Sequence, residues 1–261
     1  MRASEVGAFG NEAELPGGVG RDYVVERVLG EGPLGTLFLA RGAQTGRPVV
    51  VKVLAEKLAD DEAVRSRFLR TAELDMRLSH PNVVRVFEAG VDGRPYLVME
   101  HVAGETLAQR LQRDGGVSAD DTVRLATHLA AGLAHAHASG VVHGALHVHS
   151  ILLGDDGVAR ICDSGFARVC GWIGRPHPAG DVYALAAVLR KAGGDRVPPW
   201  LTALVDAGLA GPSVRPSAFD FFHEVLTRTS PPDVWIAPAV VSHIVERSAS
   251  TGSIAAARTE G

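Results

Sequence analysis

The chain has 261 residues, enough for one large or two small domains, and 46% of them are hydrophobic. Its formal net charge is -4 without a long basic run, which argues against nucleic acid as a main partner because backbone binding needs clustered positive charge. The C-terminal apolar run VWIAPAVVSHIV is shorter than the ~20 residues of a spanning helix, so no membrane span is predicted. The chain has two cysteines and no secretory signature. We therefore expect a cytoplasmic protein with packed thiols.

The N-terminal part predicts a small sheet with one helix. Residues 1–20 have no apolar core and are expected to form a flexible leader. Strands are predicted at 23–29 and 36–40, around the glycine-rich turn LGEGPLGTLFLA, and a third in the β-branched run GRPVVVKVL. A helix is predicted over 60–78, where apolar residues recur every four positions. The segments HPNVVRVFEAG and PYLVMEHV are predicted as two further strands joined by the turn VDGR.

The second half changes to a helical pattern. Ser118, with Asp121 three residues later, predicts the start of a long helix through Ala138. Short strands are expected at SILLG and VARIC. Further helices are expected at GDVYALAAVLRKA, PPWLTALVDAGLA and SAFDFFHEVL. Residues 229–261 turn rich in Ser, Ala and Thr and are expected to be a largely disordered tail. Strands followed by helices indicate an α+β fold.

The order of these segments resembles the protein-kinase fold, especially the bacterial Ser/Thr kinases of eukaryotic type. The motifs are GEGPLGTL for the Gly-rich loop, VVVK for the third strand, HGALHVHS for H-R-D-L-x-x-x-N and DSG for D-F-G. The resemblance implies two lobes within residues 21–228: a small β-rich N-lobe at about 21–102 and a shortened helical C-lobe at about 103–228.

The resemblance also implies a nucleotide pocket. The glycines would let the backbone close over phosphates, and Lys52 would bind the α- and β-phosphates. Asp163, the Asp of DSG, would hold a weakly bound Mg²⁺. The other side chains would enclose the adenine ring or present backbone groups to its edge. The implied ATP-binding residues are Gly30, Gly32, Gly35, Leu37, Val50, Lys52, Met99, Glu100, Val102, Leu152 and Asp163.

The residues that would perform phosphoryl transfer are replaced. Ala145 stands in the position of the catalytic base, and a methyl group cannot accept a proton. Ser150 stands where an Asn would hold a second metal ion. Thr71 stands where a helix Glu would pair with Lys52, and Glu73 is no simple substitute because two residues turn a helix by ~200°. The sequence therefore predicts no catalytic residues of the usual kind.

The segment after DSG is short and lacks A-P-E, and no helix is predicted between GDVYALAAVLRKA and PPWLTALVDAGLA. The apolar residues of this segment, Trp172 among them, suggest a partner surface. The alternative is that Trp172 folds inward and is part of the core. We therefore interpret the chain as a pseudokinase that binds a protein partner and retains part of a nucleotide pocket. Two alternatives stay open, a weak or atypical Ser/Thr kinase and a kinase-shaped module without nucleotide.

Overall fold

The computed structural model describes residue 15 and residues 22–165, 169–171 and 176–229. The N-terminal half folds into one antiparallel sheet of five strands in the order β1-β2-β3-β5-β4. Its strands are β1 (Tyr23–Gly32), β2 (Gly35–Gly42), β3 (Pro48–Leu54), β4 (Val86–Asp92) and β5 (Arg94–Glu100).

Two helices follow β3, namely α1 (Glu56–Ala59) and α2 (Glu62–Asp75). Asp61 caps α2 by accepting hydrogen bonds from the backbone N–H groups of Ala63 and Val64. The predicted period of four is confirmed, because Val64, Phe68 and Ala72 are buried against the sheet. The prediction of 60–78 was longer than the helix, whose C-cap is Met76.

The opposite face of the sheet carries a second apolar cluster that includes Phe38, Val51 and Val98. Leu15 is buried in this cluster, although it belongs to the predicted leader. The neighbours of Leu15 in the leader, and the predicted tail from residue 230 onward, lie outside the described residues. At the rim of this face, Glu88 accepts hydrogen bonds from the hydroxyls of Tyr23 and Tyr96.

The C-terminal half begins with β6 (Gly104–Thr106), α3 (Leu107–Asp114) and α4 (Ala119–Ala138). β6 pairs with β7 (Ile151–Gly154), which pairs with β8 (Ala159–Ile161). The predicted start of α4 is confirmed, since the Ser118 hydroxyl accepts the backbone N–H of Asp121. Helix α3 was not predicted, although Thr106 and Gln109 form a capping box at its start.

Three further helices complete the C-lobe, namely α5 (Pro178–Gly193), α6 (Pro199–Leu209) and α7 (Ala218–Arg228). They pack with α4 around one apolar core that contains Leu129, Leu185 and Phe221. Only a 3-10 turn at Gly194–Arg196 separates α5 from α6, so this C-lobe is shortened as predicted. Within the described part of the chain, no helix is both long and apolar enough to cross a membrane.

Candidate nucleotide site

The glycine-rich turn closes the hairpin of β1 and β2. Gly35 has a φ of +140°, and a Cβ there would lie 1.9 Å from the Val53 carbonyl oxygen, so this position requires glycine. A Cβ on Gly30 or Gly32 would meet no atom within 4 Å. The turn is anchored to the sheet because the Ala55 N–H donates to the Leu34 carbonyl at 3.0 Å. Gly30 and Gly32 therefore border open space.

Lys52 and Asp163 meet at the base of the cleft. The Lys52 ammonium is buried and lies 2.6 Å from Asp163 Oδ1. Burial by itself would raise the pKa of Asp163, but the charge and hydrogen bond of Lys52 outweigh it, so the pKa lies below its ordinary value. At neutral pH the two groups thus form an ion pair.

Asp163 also has an unusual backbone. Its φ is 64°, the left-handed region, and it is the sole non-glycine residue with positive φ in the described ranges. Such a conformation costs free energy and is frequent at functional sites. Asp163 is therefore held in its place between the lobes by the surrounding structure.

Helix α2 provides no carboxylate for Lys52. Thr71 lies at the back of the cleft, where a Cβ on Gly165 would be 2.7 Å from its methyl group. Glu73 is exposed and so points away, as the helical period predicted. Lys52 forms a salt bridge with Asp163 of the C-lobe.

The side chains that were predicted to enclose an adenine ring lie between the lobes. Met99 is buried at the end of β5, and Val50 pairs with it in the sheet register. Leu37, Val102 and Leu152 are half-buried and pack against the same cluster as Met99. Glu100 ends β5 and donates its N–H to the Arg85 carbonyl at 2.8 Å. The predicted apolar residues are thus brought together.

The loop that carries Ala145 is held by Asp181 of α5. Its carboxylate accepts the N–H groups of His143 and Gly144 at 2.8 and 2.7 Å. His137 Nε2 lies 2.8 Å from the same carboxylate. The sequence predicted a helix at GDVYALAAVLRKA but did not reveal this contact. Asp181 therefore fixes the backbone of the loop directly before Ala145, whose side chain is a methyl group.

Two histidines of this loop, His143 and His147, each accept a backbone N–H through Nδ1. The Ala145 N–H donates to His143 Nδ1, and His143 Nε2 lies 2.9 Å from the Cys162 carbonyl, so the ring is neutral with its proton on Nε2. Burial lowers the pKa of His143, which favours this neutral form. His147 Nδ1 accepts the Ser150 N–H at 3.1 Å. In both rings the lone pair of the neutral form is already used.

Ser150 is also committed to the loop. It is buried, its hydroxyl donates to the His147 carbonyl at 2.9 Å, and it accepts the His147 N–H at 3.0 Å. This capping arrangement uses the hydroxyl both as a donor and as an acceptor within the loop. Within the described ranges, no group of three or more Asp, Glu, His or Cys side chains is arranged to hold a metal ion.

Residues 169–171, the described part of the segment after Gly165, lie behind α2. Val169 is buried among the apolar residues of α2 and the sheet, and the Arg67 guanidinium donates to its carbonyl at 3.0 Å. The sequence did not predict this insertion. Cys162 and Cys170 are free thiols packed against the same cluster, as expected from the sequence. Trp172 lies outside the described residues, so its predicted partner surface stays a prediction.

A small cavity of about 30 Å³ lies behind Met99 and is bordered by Thr71, Asp75 and Ser164. Asp75 is buried at the end of α2. Burial, with a smaller contribution from the Asp163 charge, raises the pKa of Asp75 to about 8. This carboxyl group is therefore largely protonated at neutral pH.

Comparison with known proteins agrees with this geometry. Residues 23–174 match the Protein kinase domain family, which is more than half of the chain, so the chain belongs to that family. The Ser/Thr-protein kinase PkaB of Streptomyces coelicolor is 35% identical over 202 residues, covering 66% of this chain and 48% of that protein. A probable Ser/Thr-protein kinase of Clostridium acetobutylicum is 33% identical over 147 residues, covering 56% of this chain and 22% of that protein. The chain thus spans between about a fifth and a half of these two relatives.

Solved structures show the same fold. The Mycobacterium tuberculosis PknI kinase domain has a TM-score of 0.67 at 22% identity, with 80% of this chain and 96% of that chain covered. Rad53 1–466 in complex with AMP-PNP has a TM-score of 0.65 at 20% identity, with 78% and 64% covered. The predicted kinase fold, with its β-rich N-lobe and helical C-lobe, is confirmed.

The residues present fit a nucleotide better than they fit its metal ions. Open space beside Gly30 and Gly32 leaves room for phosphate groups, and the buried ammonium of Lys52 has the opposite charge to theirs. Of the two predicted metal positions, Asp163 offers a carboxylate, whereas the Ser150 hydroxyl is buried in its loop. Mg²⁺ accepts one or two carboxylates together with phosphate oxygens, so one position fits.

Proposed function

We propose that this member of the protein kinase family binds ATP between its lobes without transferring the phosphoryl group, and acts as a regulatory or scaffold module. The observation that carries the proposal is the contrast across one cleft. On one side Lys52 and Asp163 form an ion pair. On the other side Ala145 lies in the loop held by Asp181, and the Nδ1 atoms of His143 and His147 already accept backbone N–H groups.

The nucleotide half of the proposal is supported by the burial of Lys52. A buried ammonium group costs free energy unless it is paired, so an apolar residue would be the cheaper choice for a purely structural strand position. Phosphates would take over the pairing from Asp163 and release its carboxylate for Mg²⁺. The half-buried Leu37 and Leu152 would lie on the two faces of the adenine ring.

The inactive half is supported by three missing functions. A general base contributes typically ~10²- to 10⁴-fold to the rate, and Ala145 has no proton acceptor. The Ser150 hydroxyl is bound to its own loop, which leaves Asp163 as the one protein ligand proposed for Mg²⁺. The short connection between α5 and α6 leaves no helix there to position a protein substrate. Because Asp163 is the one protein ligand proposed for Mg²⁺, we expect Mg²⁺ binding to be weak.

A weak or atypical Ser/Thr kinase is the second candidate. The strained backbone of Asp163 favours it, because such strain is typical of working sites. The relatives that are named as Ser/Thr kinases support this candidate more weakly. The third candidate, a kinase-shaped module without nucleotide, gives no functional reason for the burial of the Lys52 ammonium.

The module role implies a protein partner. With phosphoryl transfer lost, a kinase fold acts through the surfaces that it presents to other proteins. We propose the segment that includes Trp172 as the contact surface, since its apolar side chains follow directly on the nucleotide cleft in sequence.

The test is a thermal-shift titration with ATP, repeated with Mg²⁺ and with EDTA. ATP at ~100 times its Kd should stabilise the fold by ~2.7 kcal/mol, with a smaller response in EDTA. The Lys52→Ala variant should lose most of the response. Lys57→Ala is the matched control, because Lys57 is an exposed lysine of α1. No shift at millimolar ATP would favour the module without nucleotide, and an unchanged response of Lys52→Ala would place the nucleotide elsewhere.

A further inference from the structure

An open groove lies on the C-lobe, between α3, the 3-10 turn Val148–Ser150 and the last turn of α5. It holds about 400 Å³, within the range of ligand-binding sites. Its floor is apolar and consists of the buried Val148 and the half-buried Ala108 and Leu111. Its polar side chains are all exposed, namely Gln109, Gln112, His149 and Lys191.

The polar side chains of this groove offer mainly hydrogen-bond donors. The described residues that line the groove include no Asp or Glu. Gln109 Oε1 accepts the Thr106 N–H at 2.8 Å, which leaves the amide NH₂ group of Gln109 as a donor. Lys191 adds an ammonium group, which has three donors and no acceptor. The groove is therefore complementary to a ligand with negatively charged acceptors.

Lys191 contributes a positive charge that is not balanced by an ion pair. The last turn of α5 contains two cations, Arg190 and Lys191, at the helix end that favours positive charge. Arg190 forms a salt bridge with Asp206 of α6. None of the salt bridges between described residues includes Lys191. The end of α5 thus leaves one unpaired ammonium group at the groove.

His149 adds to the donor side of the groove. Its ring lies 5.7 Å from the ring of His147 in an edge-to-face arrangement. His147 is itself fixed in the loop, because its Nδ1 accepts the Ser150 N–H. An imidazole ring has one N–H donor when neutral and two when protonated, and it carries no negative charge in either form. This side of the groove is therefore neutral or positive.

We infer that this groove binds an acidic peptide segment of another protein, with a carboxylate at Lys191 and an apolar side chain on Leu111 and Val148. The inference rests on the proposed role as a protein-binding module and names the chemistry of the partner. An extended peptide suits the groove better than a small molecule, because sites for small molecules bury most of the ligand and these polar walls are exposed. Successive side chains of an extended peptide point to opposite sides, so neighbouring acidic and apolar residues can reach the ammonium group and the floor.

The probes are two fluorescein-labelled peptides of equal length, Gly-Glu-Leu-Glu-Glu-Gly and Gly-Gln-Leu-Gln-Gln-Gly. Fluorescence anisotropy with the full chain should give an affinity for the glutamate peptide that is about tenfold or more tighter, since hydrogen bonds to charged groups are the stronger ones. Equal affinities, or no binding of either peptide, would overturn the inference. The titration contains no ATP, so its failure is separate from a failure of the ATP thermal shift.

Two variants locate the peptide. Lys191→Ala should weaken binding of the glutamate peptide about fivefold, the upper end for an exposed ion pair. Gln112→Glu should also weaken it, because this change adds a carboxylate to the groove and removes no cation. Circular dichroism and the melting temperature check that both variants are folded. Unchanged binding by both variants would show that the peptide binds elsewhere.

The matched control is Lys57→Ala, which removes the same charge from an exposed position on α1. This variant should bind the glutamate peptide as the wild type does. A loss equal to that of Lys191→Ala would show an effect of net charge alone and would contradict the groove.

A last comparison separates a peptide segment from a free small anion. N-acetylglutamate amide, used as a competitor, carries the carboxylate without the apolar neighbour. A glutamate peptide that binds at least about tenfold more tightly than this compound supports the peptide groove, because the leucine adds contact with the floor. Equal affinity would contradict it and indicate a site for small anions.

Discussion

Lys52 donates to Asp163 at 2.6 Å across 111 positions of sequence, and this contact joins the N-lobe sheet to the turn after β8. Asp163 provides the carboxylate that pairs with Lys52. Helix α2 has Thr71 at the position where a glutamate was expected for this role. The pair therefore joins the two lobes at the position where we propose that phosphates bind.

Replacing Asp163 by Asn should destabilise the fold by about 1–3 kcal/mol, because the buried ammonium loses a charge-assisted hydrogen bond. Glu224→Gln is the control, since Glu224 and Arg228 form an exposed pair on α7, where such pairs contribute about 0.3–0.5 kcal/mol. Urea denaturation of both variants measures the difference. Equal stability of the two variants would contradict the structural role of Asp163.

The glycines of the turn should separate folding from binding. Gly35→Ala should destabilise by about 1–3 kcal/mol, because its Cβ would overlap the Val53 carbonyl and its φ is positive. Gly32→Ala should keep the melting temperature, since its Cβ meets no atom within 4 Å, but should reduce the ATP-dependent shift. Thermal melts with and without ATP test both. A destabilised Gly32→Ala or an unaffected Gly35→Ala would argue against this turn geometry.

Asp75 should make the protein less stable as pH rises. The unfolded chain ionises this carboxyl near its ordinary value of 3.8, whereas the folded chain keeps the proton up to a pKa of about 8. Between these values the folded state binds more protons, so stability falls with increasing pH. The Asp75→Asn variant has no carboxyl group to ionise here. The difference between its free energy of unfolding and that of the wild type should therefore grow in favour of the variant by about 1.4 kcal/mol per pH unit. Denaturant titrations at pH 5, 6 and 7 test this, and a constant difference would refute the raised pKa.

Restoring the catalytic residues should not restore a protein kinase. Ala145→Asp, Ser150→Asn and Thr71→Glu together return the base, a metal ligand and the partner of Lys52. They do not rebuild the short segments that would orient a protein hydroxyl, and orientation can contribute ~7–11 kcal/mol to lowering a barrier. The triple variant should bind ATP more tightly and phosphorylate no peptide. Robust peptide phosphorylation by this variant would show that the point substitutions alone had silenced the chain.

The strands and long helices were predictable because their signals are local. The β-branched run ending in Lys52 and the Ser118 cap each specify their element within a few residues. Helix α3 was missed although its capping box was readable in the sequence. The motif order predicted the fold and the apolar residues of the pocket.

Other features of the site depend on contacts between distant segments. The insertion of Val169 behind α2 joins parts of the chain that no period or motif connects, and Arg67 is one of many arginines. The capture of the Ser150 hydroxyl by His147 depends on the loop conformation. The small cavity bordered by Asp75 requires the packing of both lobes. Such features follow from tertiary structure and carry no local sequence signal.

The most direct test of the central claim is transfer of label from γ-labelled ATP to generic Ser/Thr peptides, with Mg²⁺ and ATP at saturating concentration. Lys52→Ala, measured in parallel, gives the background of contaminating kinases. The account predicts that the wild type binds ATP in the thermal-shift assay while its label transfer equals that of Lys52→Ala. Transfer by the wild type clearly above that background would contradict the account and identify the chain as an active kinase.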